Sequence, residues 1–304
     1  MVRRCLLAAV LALSLAAPAL GQEAGYTRTE DVIYGRKFGV AMTMDVFSPK
    51  GPRNGAGVVF CVSGGWVSAK ESIRPAVLQP LLDRGYVVFA VVHGSQPKFA
   101  IPEVLDDMHR AVRYIRYHAK EYGVDKERLG ISGGSAGGHL SLMQGTAPRE
   151  GNPEAKDPVE RESSRVAAVG CFFPPTDFLN YGEPGKVALG RGTLTNFRPP
   201  FDFTEQDPKT RSFGLITDEE KRREIGKAIS PAYHVTADSA PALIIHGDAD
   251  KLVPLQQSEL IIEKYRAAGV AYELVVKKGL AHGWPGLDRD VAIIADWFDK
   301  QLRK

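Results

Sequence analysis

The sequence predicts an α/β fold, a mostly parallel, doubly wound sheet flanked by helices and interrupted by one long, cap-like insertion. Three observations predict it. Apolar runs of strand length alternate with helical stretches along most of the chain. Two of these runs, Ala56 to Ser63 and Tyr86 to Val92, are the buried strands expected of a sheet covered by helices on both faces. The alternation breaks in only two places, residues 147–164 and 178–240.

Residues 27–34 and 41–47 alternate apolar with polar and form an expected antiparallel pair. Ala56 to Ser63 is a continuous apolar run, hence a buried strand, and Ile73 to Arg84 suits a helix. Tyr86 to Val92 is a second buried strand. Glu103 to Glu121 places Leu105, Met108, Val112 and Ile115 on one helical face. Arg128 to Ser132 is a short buried strand, and Ala136 to Gly145 is a helix with Leu140, Leu142 and Met143 as apolar members. Residues 147–164 are polar and contain proline, as a surface loop does. Val166 to Phe173 is a strand. Residues 178–240 are rich in Pro, Gly and aromatics, with a charged helix near 217–228. So long a break in a compact domain is usually functional, such as a lid. The alternative is that Phe197, Phe201, Phe203 and Phe213 simply extend the core. Then come a strand at Ala242 to His246, a helix at Leu255 to Ala268 ending on Gly269, a strand at Tyr272 to Val276 and a helix at Asp288 to Leu302.

The chain is 304 residues long and opens with Arg3-Arg4, an apolar run from Cys5 to Ala17 and small residues at Ala19 and Gly21. This reads as a secretory signal peptide, residues 1–21, and implies a secreted or periplasmic location. The run is short of the roughly 20 apolar residues a membrane span needs. The remaining chain, 22–304, suits one large α/β domain. The formal charge is +3, mixed along the chain rather than blocked, so neither nucleic acid nor a membrane surface is an expected partner. No metal-ligand constellation, G-x-G-x-x-G or phosphate-binding loop is present in the sequence, and no cofactor is expected.

Gly133-Gly134-Ser135-Ala136-Gly137 fits G-x-S-x-G between a strand and a helix. That context is the nucleophile elbow of an α/β-hydrolase, where a strained turn exposes the serine. The alternative is a Gly-rich turn with no chemistry. A serine hydroxyl needs a base, generally a histidine oriented by a carboxylate, and in this fold the chain order is Ser, acid, His. Of the seven histidines, only His282 falls in the loop after the last strand. His139, four residues past Ser135, is expected to point away from the active face. Asp248 and Asp250 both follow the strand ending at His246 and compete for the acid's role.

From about residue 30 to its end the chain resembles α/β-hydrolases of the esterase/lipase group that includes acetyl-xylan and feruloyl esterase-like enzymes. The resemblance is carried by Ser63-Gly64-Gly65-Trp66, Val124 to Arg128, Gly134 to Leu140, His246-Gly247-Asp248-Ala249-Asp250 with Val253-Pro254, and His282-Gly283. It implies Asp250 as the acid and leaves Asp248 to bind turn amides. The backbone amides of Gly64, Gly65 and Ala136 are then the expected oxyanion hole, with a plain tight turn the alternative for the two glycines. Trp66 either walls an acyl pocket or plugs the loop. One departure stands out: Val62 and Ser63 occupy the places of a His and a Gly in the family's His-Gly-Gly-Gly-Trp. The bonds that brace this loop must therefore come from elsewhere, with Ser63 a candidate. His93-Gly94-Ser95 stands where a Tyr-Arg-Leu-like segment is common, and Asp107 fits a family pattern read as structural.

Cys61 and Cys171 fall on strands expected to flank the elbow strand, which sets their Cα atoms about 10 Å apart. A disulfide needs less than about 7 Å, so both are expected as buried thiols. The resemblance implies a secreted serine hydrolase acting on small-molecule or polysaccharide esters. Two other readings are a prolyl-oligopeptidase-like peptidase, for whose usual propeller there is no room, and a catalytically silent binding protein. An arylformamidase-like amidase fits poorly with the signal peptide.

Overall fold

A computed structural model describes residues 25–303; the expected signal peptide lies outside the described residues. Strands β1 (Tyr26–Lys37) and β2 (Val40–Pro49) form the antiparallel pair, longer at both ends than the alternation suggests. They are followed by β3 (Gly57–Cys61), helix α1 (Pro75–Leu82) and β4 (Val87–Val92). The helix expected over 103–121 starts earlier, as α2 (Ile101–Tyr117), because Pro102 sits in its first turn and the Glu103 carboxylate accepts the Ala100 amide at 2.6 Å. The chain leaves the helical path at His118 (φ −95°, ψ 11°) and makes one more turn, α3 (Ala119–Tyr122), which Gly123 ends at φ 68°.

The elbow strand β5 (Leu129–Gly134) and elbow helix α4 (Ala136–Thr146) come next, then β6 (Ala168–Phe172). The insertion contains 3₁₀ turns, a small hairpin of β7 (Thr204–Gln206) and β8 (Phe213–Leu215), and the charged helix α5 (Glu219–Ala228). The hairpin's three-residue strands are too short to register as strand periodicity. The chain closes with β9 (Ala242–Gly247), α6 (Gln256–Ala268), β10 (Tyr272–Lys277) and α7 (Leu287–Leu302).

Eight strands form one sheet in the order β1-β2-β4-β3-β5-β6-β9-β10, parallel from β4 to β10. Successive side chains of a strand go to opposite faces. In β4, Val87, Phe89 and Val91 join a core with α2, α4 and α6, while Val88 and Ala90 join a core with α1 and α7. The chain winds outward in opposite directions from β3 and β5, and open α/β sheets bind ligands at such a switch point, beyond the carboxyl ends of the strands. Ser135 sits at that point. β5 lies between β3 and β6, and Cys61 and Cys171 are both free and buried.

The aromatics of the insertion part ways. Phe178, Phe201 and Phe203 are buried and extend the core over α4, with Phe178 and Phe201 packing ring to ring at 5.1 Å. Phe197 is half-buried beside Ser135, and Phe213 is 70% exposed on the hairpin.

Candidate active site

The elbow is built by backbone contact. Ser135 has φ 56° and ψ −120°, a conformation an L-residue adopts only when its surroundings enforce it. A Cβ on Gly133 would lie 2.6 Å from the Gly137 backbone, and one on Gly137 would lie 2.8 Å from the Cys61 carbonyl oxygen. Neither position admits alanine without moving strand or helix. The turn thus lifts the Ser135 hydroxyl beyond the strand ends.

His282 and Asp250 meet it there. His282 Nδ1 is 2.7 Å from Asp250 Oδ2, and Nε2 is 2.9 Å from Ser135 Oγ. A carboxylate only accepts, so Nδ1 carries the proton and Nε2 is left to accept from the serine hydroxyl. Of the two competing carboxylates, Asp250 is the one that reaches His282. Asp248 instead accepts the Gly279 amide at 2.6 Å, in the turn that leads to the His282 loop.

Asp250 is held on all sides. Its Oδ1 accepts the amides of Leu252 and Val253, each at 2.9 Å. Its Oδ2 faces His282 and also, at 3.4 Å, His246 Nε2. Burial by itself would raise this carboxyl's pKa. The hydrogen bonds from His246, His282 and the Val253 amide outweigh it and hold the group well below the usual carboxylate range. His246 is fully buried, with Nδ1 2.7 Å from Ser258 Oγ and Nε2 2.8 Å from the Val253 carbonyl oxygen. Its part in steadying Asp250 goes beyond what the sequence order of Ser, Asp and His reveals.

Of the three amides expected to form an oxyanion hole, two are available. Those of Gly65 and Ala136 have no hydrogen-bond partner among the described residues. The Gly64 amide, by contrast, donates to the Val67 carbonyl at 3.0 Å, and the Val67 amide returns a bond to Gly64 at 2.9 Å. Gly64 therefore closes the turn rather than facing Ser135, a correction to the expected set. The signal for it is the turn's closure three residues later, which composition does not display.

Trp66 lies beside Ser135 and is packed into the core. It is 2% exposed, has φ 59°, and packs edge-on against Phe201 at 5.3 Å. Its indole Nε1 donates to His139 Nδ1 at 3.2 Å, while His139 Nε2 donates to the Ile229 carbonyl at 2.7 Å. His139 thus lies beneath the pocket wall, not turned away from it, and ties the elbow helix to the insertion. Burial pushes its pKa down to about 4, so it is neutral near pH 7. Phe173, with φ 34°, sets its ring 4.4 Å from that of His282.

The pocket beside Ser135 is lined by Gly65 and Trp66, by Pro175, by Leu194 and Phe197 of the insertion, and by Leu252 and Val253. Its volume is about 10 Å³, room for roughly one water or methyl group. A larger groove of about 800 Å³ lies away from Ser135, between β1, α2 and residues 149–160. Its charges are largely paired, as Lys37 with Asp107 and Arg110 with Glu160. Chemistry, rather than size, selects the small pocket. No group of three or more potential metal ligands occurs among the described residues, nor a helix long and apolar enough to cross a membrane.

Comparisons with known proteins agree with the fold. The chain is 27% identical over 248 residues to the probable carboxylic ester hydrolase LipM of Mycobacterium tuberculosis, covering 79% of this chain and 52% of that protein. It is 28% identical to esterase LipC of the same organism, covering 86% of this chain and 61% of the relative. It thus spans only about half to three-fifths of the length of these curated relatives. Among solved structures, a truncated carbohydrate esterase from gut microbiota superposes with a TM-score of 0.73 at 26% identity, covering 93% of this chain and 99% of that one. Thermogutta terrifontis esterase 2 phosphonylated by sarin superposes with a TM-score of 0.67 at 26% identity, covering 92% and 94%. The BD-FAE family model matches residues 44–265, a span that includes Ser135 and Asp250 and most of the sheet, so this α/β-hydrolase-fold chain belongs to the BD-FAE family.

Proposed function

We propose that the chain is a serine carboxylic-ester hydrolase that works through an acyl-enzyme on Ser135. The observation that carries this reading is the hydrogen-bonded line Ser135–His282–Asp250, ending beside the Gly65 and Ala136 amides, which have no partner among the described residues. In this mechanism His282 Nε2 takes the Ser135 proton as Oγ attacks the ester carbonyl. The Gly65 and Ala136 amides receive the developing oxyanion, Ala136 from the first turn of α4. His282, now an imidazolium, is stabilised by ionised Asp250 and returns the proton to the departing alkoxide. Water then repeats the sequence on the acyl-enzyme and frees Ser135. LipM and LipC, whose names describe ester hydrolysis, and the sarin adduct of esterase 2 support the assignment.

The small, largely apolar pocket beside Ser135 supports a short acyl group such as acetyl. The similarity to a carbohydrate esterase supports an acetylated saccharide or polysaccharide as the alcohol portion. Residues 1–21 support export to the periplasm or medium. The test is hydrolysis of 4-nitrophenyl acetate, acetylated xylan and methyl ferulate by wild type and Ser135→Ala. The acetyl esters should be cleaved, and the variant should lose several orders of magnitude in turnover. Near-normal turnover by the variant rules out Ser135 as nucleophile, and a preference for methyl ferulate rules out the acetyl assignment.

A further inference from the structure

The turn that presents the Gly65 amide is closed by the Gly64–Val67 backbone pair, but the two residues inside it are strained and lean on contacts from outside. Gly65 and Trp66 lie in succession at φ 55° and φ 59°, left-handed values that a tryptophan rarely adopts. What holds them comes from the segment just past β4. The Ser68 hydroxyl donates to the Val62 carbonyl at 2.5 Å and accepts the His93 amide at 3.1 Å. The Gln96 side chain donates to the Gly65 carbonyl at 3.0 Å, and the Gln96 amide to that of Trp66 at 3.3 Å. One further contact is side chain to side chain and stands where the chain leaves β3 for the turn: Ser63 Oγ is 2.8 Å from His93 Nε2.

The direction of that bond is fixed. His93 Nδ1 lies 2.7 Å from the Gly94 carbonyl oxygen, which only accepts, so Nδ1 carries the proton. Nε2 is then a bare acceptor and the Ser63 hydroxyl must donate to it. His93 is 3% exposed, and burial lowers its pKa to about 4, so the neutral ring persists near pH 7. The Gly94 peptide beneath the ring is itself anchored. Its amide donates to Asp107 Oδ2 at 2.9 Å, and Asp107 Oδ1 pairs with Lys37 Nζ at 2.7 Å. A continuous chain of contacts therefore runs from β1 and α2 through His93 to the residue preceding Gly64 and Gly65.

We propose that Ser63 and His93 are a positioning pair, which keeps the Gly65 amide aimed at the oxygen of the tetrahedral intermediate on Ser135. The inference rests on the serine-hydrolase reading above. The pair touches neither substrate nor Ser135 and acts only through the turn. Displacing a catalytic group by about 1 Å can lower a rate on the order of a hundredfold, and losing one oxyanion donor lowers it comparably.

The experiment compares wild type with Ser63→Ala, His93→Phe, the double variant, Ser63→Thr and His93→Gln. Measured for each are kcat and KM on 4-nitrophenyl acetate, the inhibition constant of phenylboronic acid, and the thermal midpoint. Phenylboronic acid is the discriminating probe, because its tetrahedral adduct on serine places a charged oxygen where the oxyanion forms. The expected result is a kcat about ten- to a hundredfold lower in Ser63→Ala and in His93→Phe, with KM within about threefold. Boronate affinity falls in step with kcat, and the double variant is no worse than either single one. Thr keeps the hydroxyl and the Gln amide keeps an acceptor, so Ser63→Thr and His93→Gln regain most of the activity. An active wild type whose Ser63→Ala and His93→Phe variants keep kcat and boronate affinity within about threefold overturns the pairing. So do losses that follow the thermal midpoint and leave boronate affinity unchanged, and so do multiplicative losses in the double variant. A wild type that neither cleaves the ester nor binds the boronate overturns the hydrolase reading, and this inference with it.

Discussion

Asp250 accepts three hydrogen bonds, two amides on Oδ1 and the His282 imidazole on Oδ2, with His246 Nε2 a further 3.4 Å neighbour of Oδ2. Asp250→Asn replaces Oδ2 or Oδ1 by a donor and turns at least one of these contacts repulsive. Turnover should fall about 10³- to 10⁴-fold, since the imidazolium loses its counter-charge. Asp248→Asn should leave kcat nearly unchanged, because its oxygen can still accept the Gly279 amide. Steady-state kinetics of the two variants decides it, and the reverse ranking would transfer the acid's role to Asp248. Ser135 and His282 are the residues most legible in the sequence, since one sits in a local motif and the other in a defined place along the chain. The buried histidines are not legible in this way. His93, His139 and His246 have hydrogen-bond partners as far away as Ile229, 90 residues from His139, and only folding brings these together. Gly64 misled for a related reason. Whether an amide is free depends on what the turn closes onto, and Val67 takes this one.

At the scale of elements, the insertion divides its aromatic side chains between two jobs, and substitution should separate them. Leu194 and Phe197 line the pocket, whereas Phe201 is fully buried against Trp66 and Phe178. Phe197→Ala should enlarge the pocket, raise the rate on butyrate relative to acetate esters, and leave the thermal midpoint close to wild type. Phe201→Ala removes a core ring and should destabilise by about 3–5 kcal/mol. Paired acyl-chain profiles and melting curves test the division. A Phe197→Ala protein that melts earlier with an unchanged butyrate-to-acetate ratio would make that residue structural too. The strand–helix alternation was readable because β3 and β4 are continuously apolar and helices such as α2 carry one apolar stripe. The insertion was not, because 3₁₀ turns and three-residue strands have no periodicity to detect.

Across the whole molecule, three buried neutral histidines give stability a pH dependence. Burial pushes His93 and His139 down to about 4. Burial, then the nearby charges of Arg149 and Arg113, pushes His109 to about 3. In the unfolded chain a histidine takes up its proton near pH 6.5. Between that pH and the folded values only the unfolded state binds the proton, so stability is full above about pH 6.5 and declines as pH falls. By pH 4, His93 and His139 each withdraw about 3 kcal/mol, a large part of a typical total of about 5–15 kcal/mol. Asp250 adds to the loss only below the ordinary carboxylate range, where its unfolded form protonates first. The urea midpoint should therefore drop steadily from pH 7 to pH 4.5. An unchanged midpoint over that interval would mean that these rings accept protons in the folded state.

The three side chains of the proposed triad do not share one fate when the molecule loosens. Ser135 is set in the central elbow, while His282 rides on a largely exposed loop beyond β10, the outermost strand on its side of the sheet. That loop is pinned at its base by Asp248 to Gly279 and at its far end by Trp284 to Asp290, and it holds Gly279, Gly283 and Gly286 at positive φ. Such margins open at lower free energy than a core does. Inactivation should therefore run ahead of unfolding: in rising urea, ester hydrolysis should vanish while far-ultraviolet dichroism still reports an intact sheet. Lifetime in use is then governed by the fastening of one peripheral loop, and tightening it would prolong activity without raising the melting temperature.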